Sequence, residues 1–258
     1  MPEGLEAEIW RTSISEVVGR RIVDAWVDDR VAPPGFAPAV VGSRVTAVRR
    51  AGKVVVIETS GPSIGLHFGM TGRIVVDGRS SIGQLEYASV RDEPSWDRLK
   101  IYTGRRSGGV PAIRMSDPRR FGRISLDPDL THLGIDIFAV TGARLAPRLA
   151  RRKTAVKAAL LDQTVVAGLG NLCVDEVLWW AGIDPHRPAD SIDAVEIGNL
   201  ATTIRRRLPI MLRRGGSNTG TIDPSLRRSL GPCPRDGAEL RRGVVGGRTT
   251  VWCGRHQC

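Results

Sequence analysis

The first apolar positions of the chain, Leu5, Ile9, Ile14 and Val17/Val18, fall at helical spacing with Gly19 behind them, so the pattern predicts an N-terminal helix over Leu5–Val18. The next hundred or so residues change texture. Ile22–Trp26, Val45–Val48, Val54–Ile57, Ile64–Phe68, Ile74–Val76, Leu99–Tyr102, Ala112–Met115 and Ile124–Leu126 are short β-rich runs divided by Gly, Asp, Ser and Pro. They read as an antiparallel sandwich or barrel. After about Leu130 helical patterns return in the basic stretch Pro147–Lys153, in Ala155–Leu161, in Leu172–Trp180 and in Asp193–Leu212. Asp193 followed by Glu196 has the form of a capping box. Arg213–Pro232 is rich in Gly, Ser, Arg and Pro and reads as a flexible loop. The last segment, Cys233–Cys258, is too short for a core of its own and calls for a staple.

Charge alters the picture. The 258 residues carry 38 basic against 27 acidic side chains, a net charge of +11, and a polyanion is the natural partner. An arginine-rich genome would account for part of that surplus. No apolar run approaches the ~18 residues of a membrane span, and a signal-peptide pattern is missing, so a cytoplasmic, nucleoid-associated, bacterial-type protein is expected, without membrane partners. Three of the four cysteines stand in the last 26 residues, which points to a metal site rather than a disulfide framework.

Candidate chemistry lies in five places. Met1-Pro2-Glu3-Gly4 would expose a secondary amine at Pro2 if Met1 were removed. An α-amine titrates near pH 8 and is partly uncharged at neutral pH, which suits a nucleophile; a stiff chain start is the plainer alternative. The positive end of the N-terminal helix would favour Glu3 as a carboxylate. Gly168-Leu-Gly-Asn171 before a helix offers backbone amides and the Asn171 side chain to a phosphate, or is a purely structural turn. Asp117-Pro-Arg-Arg-Phe-Gly122 and Gly69-Met-Thr-Gly72 offer Arg119, Phe121 and Met70 as side chains that could fill a base stack, or as core residues. Arg248 sits at the tip of a hairpin, Val244–Val251, where it could grip a phosphate or be a solvated turn residue.

Cys233-Pro-Arg-Asp236, sixteen residues, then Cys253-Gly-Arg-His256 has the spacing of a zinc ribbon, with Asp and His where cysteines are usual and Cys258 as a rival fourth ligand. One structural Zn2+ is expected; a ribbon that folds without metal is the alternative.

Taken in order, these pieces resemble the formamidopyrimidine-DNA glycosylase and endonuclease VIII family of bifunctional DNA repair enzymes. The match runs through Met1-Pro2-Glu3-Gly4 with Glu6, Gly52-Lys53, His67–Gly72, Asp117–Gly122, Lys157–Gln163, Gly168–Asn171, Asp175-Glu176, Ala181–Pro185 and the ribbon. The resemblance implies an α+β chain: a helix and antiparallel β-sandwich at 1–130, a helix-two-turn-helix domain at 140–215 and a zinc-ribbon hairpin at 229–258. It implies that Pro2 attacks C1′ to form a Schiff base, that Glu3 handles protons, that Glu6 orients the site, and that Lys53 binds phosphate and assists proton transfer. Met70, Arg119 and Phe121 would fill the void left by an extruded base. Lys157, Asn171 and Arg248 would hold phosphates of damaged double-stranded DNA, bound by a monomer. Base excision would be followed by elimination at both the 3′ and 5′ sides.

Two departures refine the expectation. Gly4 leans toward the endonuclease VIII branch, and Arg213–Pro232 is shorter than the loop that caps 8-oxoguanine in the other branch. Weak 8-oxoguanine activity is expected, with better excision of ring-opened purines or oxidised pyrimidines and cleavage at abasic sites. A non-catalytic damaged-DNA binder, or a general zinc-ribbon nucleic-acid binder, would explain the charge and the tail but not Pro2, Glu3 and Lys53 together.

Overall fold

The computed structural model describes residues 2–83, 85–86, 91–104 and 109–258. Met1, on whose removal the amine at Pro2 depends, lies outside the described residues. The chain divides into two compact units, one containing Pro2 and Glu6–Thr131, the other Glu3–Leu5 and His132–Cys258.

In the first unit, helix α1 (Gly4–Ile14, of which Glu6 onward belongs here) continues into a 3-10 turn, Ser15–Val17, and stops at Gly19, which takes a left-handed φ of 87°. Strands β1 (Ile22–Val27), β2 (Val45–Ala51), β3 (Val54–Thr59), β4 (Ile64–His67), β5 (Arg73–Val76), β6 (Asp97–Thr103), β7 (Ile113–Ser116) and β8 (Arg123–Leu126) form two sheets. Their orders are β1-β6-β7-β5 and β2-β3-β4-β8, and every pairing is antiparallel. The inward positions of both sheets, among them Ile57, Leu66, Leu99, Ile101 and Met115, join Trp10 and Ile14 of α1 in one core. Of the sandwich or barrel read from the short β-rich runs this is the sandwich, with every expected strand present. Helix α2 (Phe36–Val40), which buries Phe36 and Val40, has no counterpart in the sequence reading.

The second unit begins with a two-stranded parallel pair, β9 (Ile135–Asp136) with β10 (Val166–Ala167). Around it pack α3 (Gly142–Leu149), α4 (Val156–Leu161), α5 (Asn171–Ala181) and α6 (Ala194–Arg214). The helix expected over Pro147–Lys153 is displaced toward the N-terminus, because Thr141 caps α3 by accepting the Arg144 N–H. Asp193 and Glu196 make the reciprocal capping box, with bonds of 2.8 and 2.9 Å.

The segment Arg213–Pro232 is not the open loop its composition suggested. It folds into a 3-10 turn, Ser217–Thr219, and helix α7 (Pro224–Ser229), capped by Asp223 with Pro224 in its first turn. The carboxylate of Glu176 on α5 pins it, accepting from Thr221 N and Ile222 N, each at 2.9 Å, and from Trp180 Nε1 at 2.8 Å. The chain ends in the hairpin β11 (Leu240–Val245) and β12 (Arg248–Cys253), whose core contains Trp179, Ile222, Cys233 and Cys253. No helix among the described residues is long and apolar enough to cross a membrane.

Candidate active site and nucleic-acid interface

Glu3 is 1% exposed, and its carboxylate lies at the N-terminus of α5. It accepts from Gly170 N at 2.9 Å, Leu172 N at 2.8 Å and Cys173 N at 3.2 Å. These are donors that a helix start leaves without intrahelical partners, and they suit an anion. Of the Gly168–Asn171 amides read from sequence as a phosphate cradle, Gly170 N is therefore occupied by Glu3, and Gly168 N donates to Gln163 Oε1 at 3.0 Å. Glycine is required for this approach. A Cβ on Gly170 would overlap the Glu3 carboxyl carbon, and one on Gly4 would stand 2.9 Å from Gly168 Cα, where Gly4 N donates to Gly168 O at 2.8 Å.

In the first unit, Pro2 and Glu6 are buried, and Lys53 is half-buried in the turn between β2 and β3, next to Gly52 with φ 57°. Arg50 braces this turn, donating to Gly52 O at 2.8 Å and to Glu8 of α1 at 3.0 Å. His67, at the end of β4, accepts the Gly69 N–H on Nδ1 at 3.2 Å. Burial, then the charges of Lys53 and Arg123, holds its imidazole below the ordinary value, so the neutral form that this bond needs is favoured.

The loops carrying Met70 and Phe121 are joined by one buried carboxylate. Asp117 is fully buried and accepts from Thr71 Oγ1, from Gly122 N at 2.7 Å and from Arg119 N at 3.3 Å. Gly69 has φ 56°, and any Cβ there would collide with the Phe121 backbone. Above this support Met70 is half-buried, Arg119 is exposed and Phe121 is 50% exposed, with the Arg119 guanidinium 4.8 Å from the Phe121 ring. A core role for Phe121 is thereby excluded. Arg120, at φ 54°, is anchored to Asp28 at 3.1 Å beside Arg30 and Arg98.

The second unit corrects the reading of Lys157. Its side chain is fully buried, 2.7 Å from Asp175 Oδ1, and donates to Thr249 O at 3.1 Å and Thr250 Oγ1 at 2.8 Å. An ammonium enclosed in this way has no open face for a phosphate. Burial lowers its pKa, and Asp175 opposes that shift. Asn171, the first residue of α5, is half-buried and donates Nδ2 to Thr249 O at 2.9 Å. Arg248 is exposed beside a two-residue turn, Gly246-Gly247, whose φ values of 58° and 70° only glycine adopts readily.

Cys233, Asp236, Cys253 and His256 place their ligand atoms within 4.8 Å of one another. Cys233 Sγ lies 3.7 Å from His256 Nδ1, Cys253 Sγ lies 3.3 Å from Asp236 Oδ2, and His256 Nδ1 lies 2.9 Å from that same oxygen. Zinc bonds of about 2.0–2.3 Å at tetrahedral angles give donor separations of about 3.3–3.8 Å, so this donor set fits a four-coordinate ion with a small adjustment. The outer nitrogen of His256 faces Trp179 O at 3.2 Å, an arrangement that leaves Nδ1 as the ligand atom. Cys258 is exposed and outside the group; its backbone pairs with Gly182 O and Asp184 N, each at 3.0 Å.

Two family descriptions match the chain in sequence, the formamidopyrimidine-DNA glycosylase N-terminal domain at residues 1–124 and the formamidopyrimidine-DNA glycosylase H2TH domain at 133–223. The formamidopyrimidine-DNA glycosylase of Paracoccus denitrificans is 35% identical over 248 residues, covering 86% of this chain and 85% of its own. That of Chelativorans sp. is 34% identical over 295 residues and covers 98% of each. The chain belongs to the formamidopyrimidine-DNA glycosylase family. Among solved structures, Lactococcus lactis formamidopyrimidine-DNA glycosylase bound non-covalently to DNA containing an AP site is similar, with a TM-score of 0.81, 26% identity and 99% of both chains covered. A MutM structure in complex with DNA containing carbocyclic 8-oxo-G has a TM-score of 0.82, again at 26% identity and 99% coverage of both.

Sequence reasoning missed the supporting residues of this glycosylase-family chain. Asp117, Thr71 and Asp28 hold the first unit's loops, and Asp175 and Arg227 hold the hairpin. Each was visible only as part of a motif or a charge run. One signal was available: an acidic pair, Asp175-Glu176, in an otherwise apolar helix must find buried partners.

Proposed function

We propose that this family member is a base-excision DNA glycosylase with AP lyase activity, acting through the secondary amine of Pro2 on oxidised or ring-opened bases and abasic sites in duplex DNA. The observation that carries the proposal is the buried Glu3 carboxylate, immobilised by three amides one peptide bond from Pro2. A carboxylate fixed that way is a positioned acid or base for the group its neighbour attacks.

With Met1 removed, the Pro2 nitrogen adds to C1′ as the glycosidic bond breaks. The base leaves with a proton, and opening of the sugar ring gives a cationic imine. The imine acidifies the C2′ proton, whose loss expels the 3′ phosphate; a second elimination expels the 5′ phosphate. Glu3 shuttles protons and Glu6 supports it, while Lys53 neutralises phosphate. Asn171 and Arg248 hold the backbone around the lesion. Met70, Arg119 and Phe121 occupy the stack, since an exposed phenyl beside a guanidinium suits base stacking.

Borohydride trapping on an abasic-site duplex tests the amine directly. A covalent adduct is expected, lost in Pro2→Gly; failure of the intact, methionine-processed chain to trap would leave a damaged-DNA binder. For the lesion, the folded segment Ser217–Ser229 in place of a long loop supports ring-opened purines and oxidised pyrimidines over 8-oxoguanine. A cleavage panel in which 8-oxoguanine opposite cytosine is the fastest substrate would sink that preference.

The ion proposed for the ribbon is Zn2+, held by Cys233, Asp236, Cys253 and His256. When bound it supplies a structural cross-link and no chemistry at the lesion. Zinc content is expected to fall in Asp236→Ala and to stay near one per chain in Cys258→Ala.

A further inference from the structure

The carbonyl oxygen of Thr249, one residue past the hairpin tip, accepts from three side chains. They are Asn171 Nδ2 at 2.9 Å, Lys157 Nζ at 3.1 Å and Arg227 Nη2 at 3.3 Å. Asp175 holds the two cations in place, at 2.7 Å from Lys157 and 2.6 Å from Arg227, and takes Val251 N on the same oxygen as Arg227 at 3.1 Å. The cluster reaches the main chain of Arg248, because Lys157 donates to Thr250 Oγ1, which donates to the Arg248 carbonyl oxygen at 3.0 Å. From the far side Arg242 of β11 closes the frame by donating to the Arg227 and Arg228 carbonyls at the end of α7. Lys157, Asp175 and Arg227 are 0%, 2% and 7% exposed.

We infer that Asp175, Lys157 and Arg227 are positioning residues that set Asn171 and Arg248 as one rigid clamp on the DNA backbone. The inference rests on the proposed function, which makes Asn171 and Arg248 the phosphate contacts. Its physical basis is that the backbone of a glycine turn is otherwise free to shift, and with it the guanidinium it carries. Ordering that backbone on binding costs affinity, and a preorganised one avoids that cost. Asn171 gains as well: with one Nδ2 hydrogen committed to Thr249, its amide plane is fixed and the second hydrogen has a defined direction. Arg227 is the informative member. It lies on α7, in the segment whose composition suggested an open loop, and it is far in sequence from both side chains it would orient.

The test is a double-mutant cycle on binding to a short duplex carrying one reduced abasic site, which binds without being cleaved. Arg227→Met is expected to weaken binding about tenfold in the parent, the scale of one charge-assisted contact. In the Asn171→Ala/Arg248→Ala background the same substitution is expected to change binding less than about twofold, because nothing remains to be positioned. Arg227→Lys should restore most of the parent affinity, since an ammonium still pairs with Asp175. The salt dependence should follow, with the slope falling in Arg227→Met as it falls in Arg248→Ala.

A general loss of fold would weaken both backgrounds alike, and equal weakening overturns the inference; so does Arg227→Lys behaving no better than Arg227→Met. If Asn171→Ala/Arg248→Ala binds as tightly as the parent, the phosphate contacts themselves are wrong and the proposed function fails at that point.

Discussion

Two parts of this molecule solve the same problem with opposite chemistry. Phe121 and Arg119 in the first unit, and Arg248 in the second, stand exposed on tight turns, and each turn rests on a buried carboxylate. Asp117 is satisfied by neutral donors, two backbone amides and a hydroxyl. Asp175 is satisfied by two buried cations and one amide. The first arrangement draws only on the two loops being held, since Arg119 and Gly122 belong to the loop of Asp117 and Thr71 to the other. The second draws on α4, α5, α7 and β12, so it forms only when the surrounding unit is complete. Under the proposed function, neutral support suits a loop that enters a base stack, and charged support suits a hairpin that bears on a polyanion without shifting.

The largest expected effect comes from breaking the charged support. Asp175→Ala leaves Lys157 and Arg227 buried without a counterion and should cost about 3–5 kcal/mol, read by urea denaturation. Asp117→Ala strands neutral donors instead and should cost about 2 kcal/mol in the same measurement. If the two losses are equal, the distinction between the supports is wrong.

A smaller effect separates the regions by pH. The His67 imidazole is held below its unfolded value, so in mildly acidic solution the unfolded chain takes up a proton that the folded chain refuses. Its contribution is complete above about pH 6.5, declines as pH falls below that, and is gone once pH passes below the folded value. Melting temperatures of the parent should fall over that range more steeply than those of His67→Gln. The Asp175 cluster contains no imidazole, so Arg227→Lys should leave that slope unchanged. The smallest effect is at the tips. Phe121→Ala and Arg248→Ala should each change stability by no more than about 0.5 kcal/mol, while both weaken DNA binding in the same preparations.

The sandwich strands were legible because β-rich runs and Gly, Asp, Ser and Pro punctuation are local signals. The box at Asp193 and Glu196 was legible for the same reason. The tail helix α7 was hidden by its composition, although Asp223-Pro224 is itself a helix-start signal. Lys157 was given a phosphate through the family resemblance alone, and nothing in its own neighbourhood of sequence shows its burial, because its partner Asp175 stands on the next helix. Glu3 shows the same limit: its charge was legible, but its amide donors lie about 170 residues later and become neighbours only through folding. The glycines at 4, 168 and 170 were the trace of that encounter in the sequence.

The acceptor at the centre of the hairpin's support is a main-chain oxygen, which gives the region an uneven tolerance to change. Exchanging the side chain of Thr249 leaves its carbonyl where it is, so point substitutions at the position that receives three donors are buffered. A one-residue insertion or deletion in the Gly246-Gly247 turn would instead rotate that oxygen to the opposite edge of β12 and release Asn171, Lys157 and Arg227 together. The hairpin is thus permissive in spelling and strict in length.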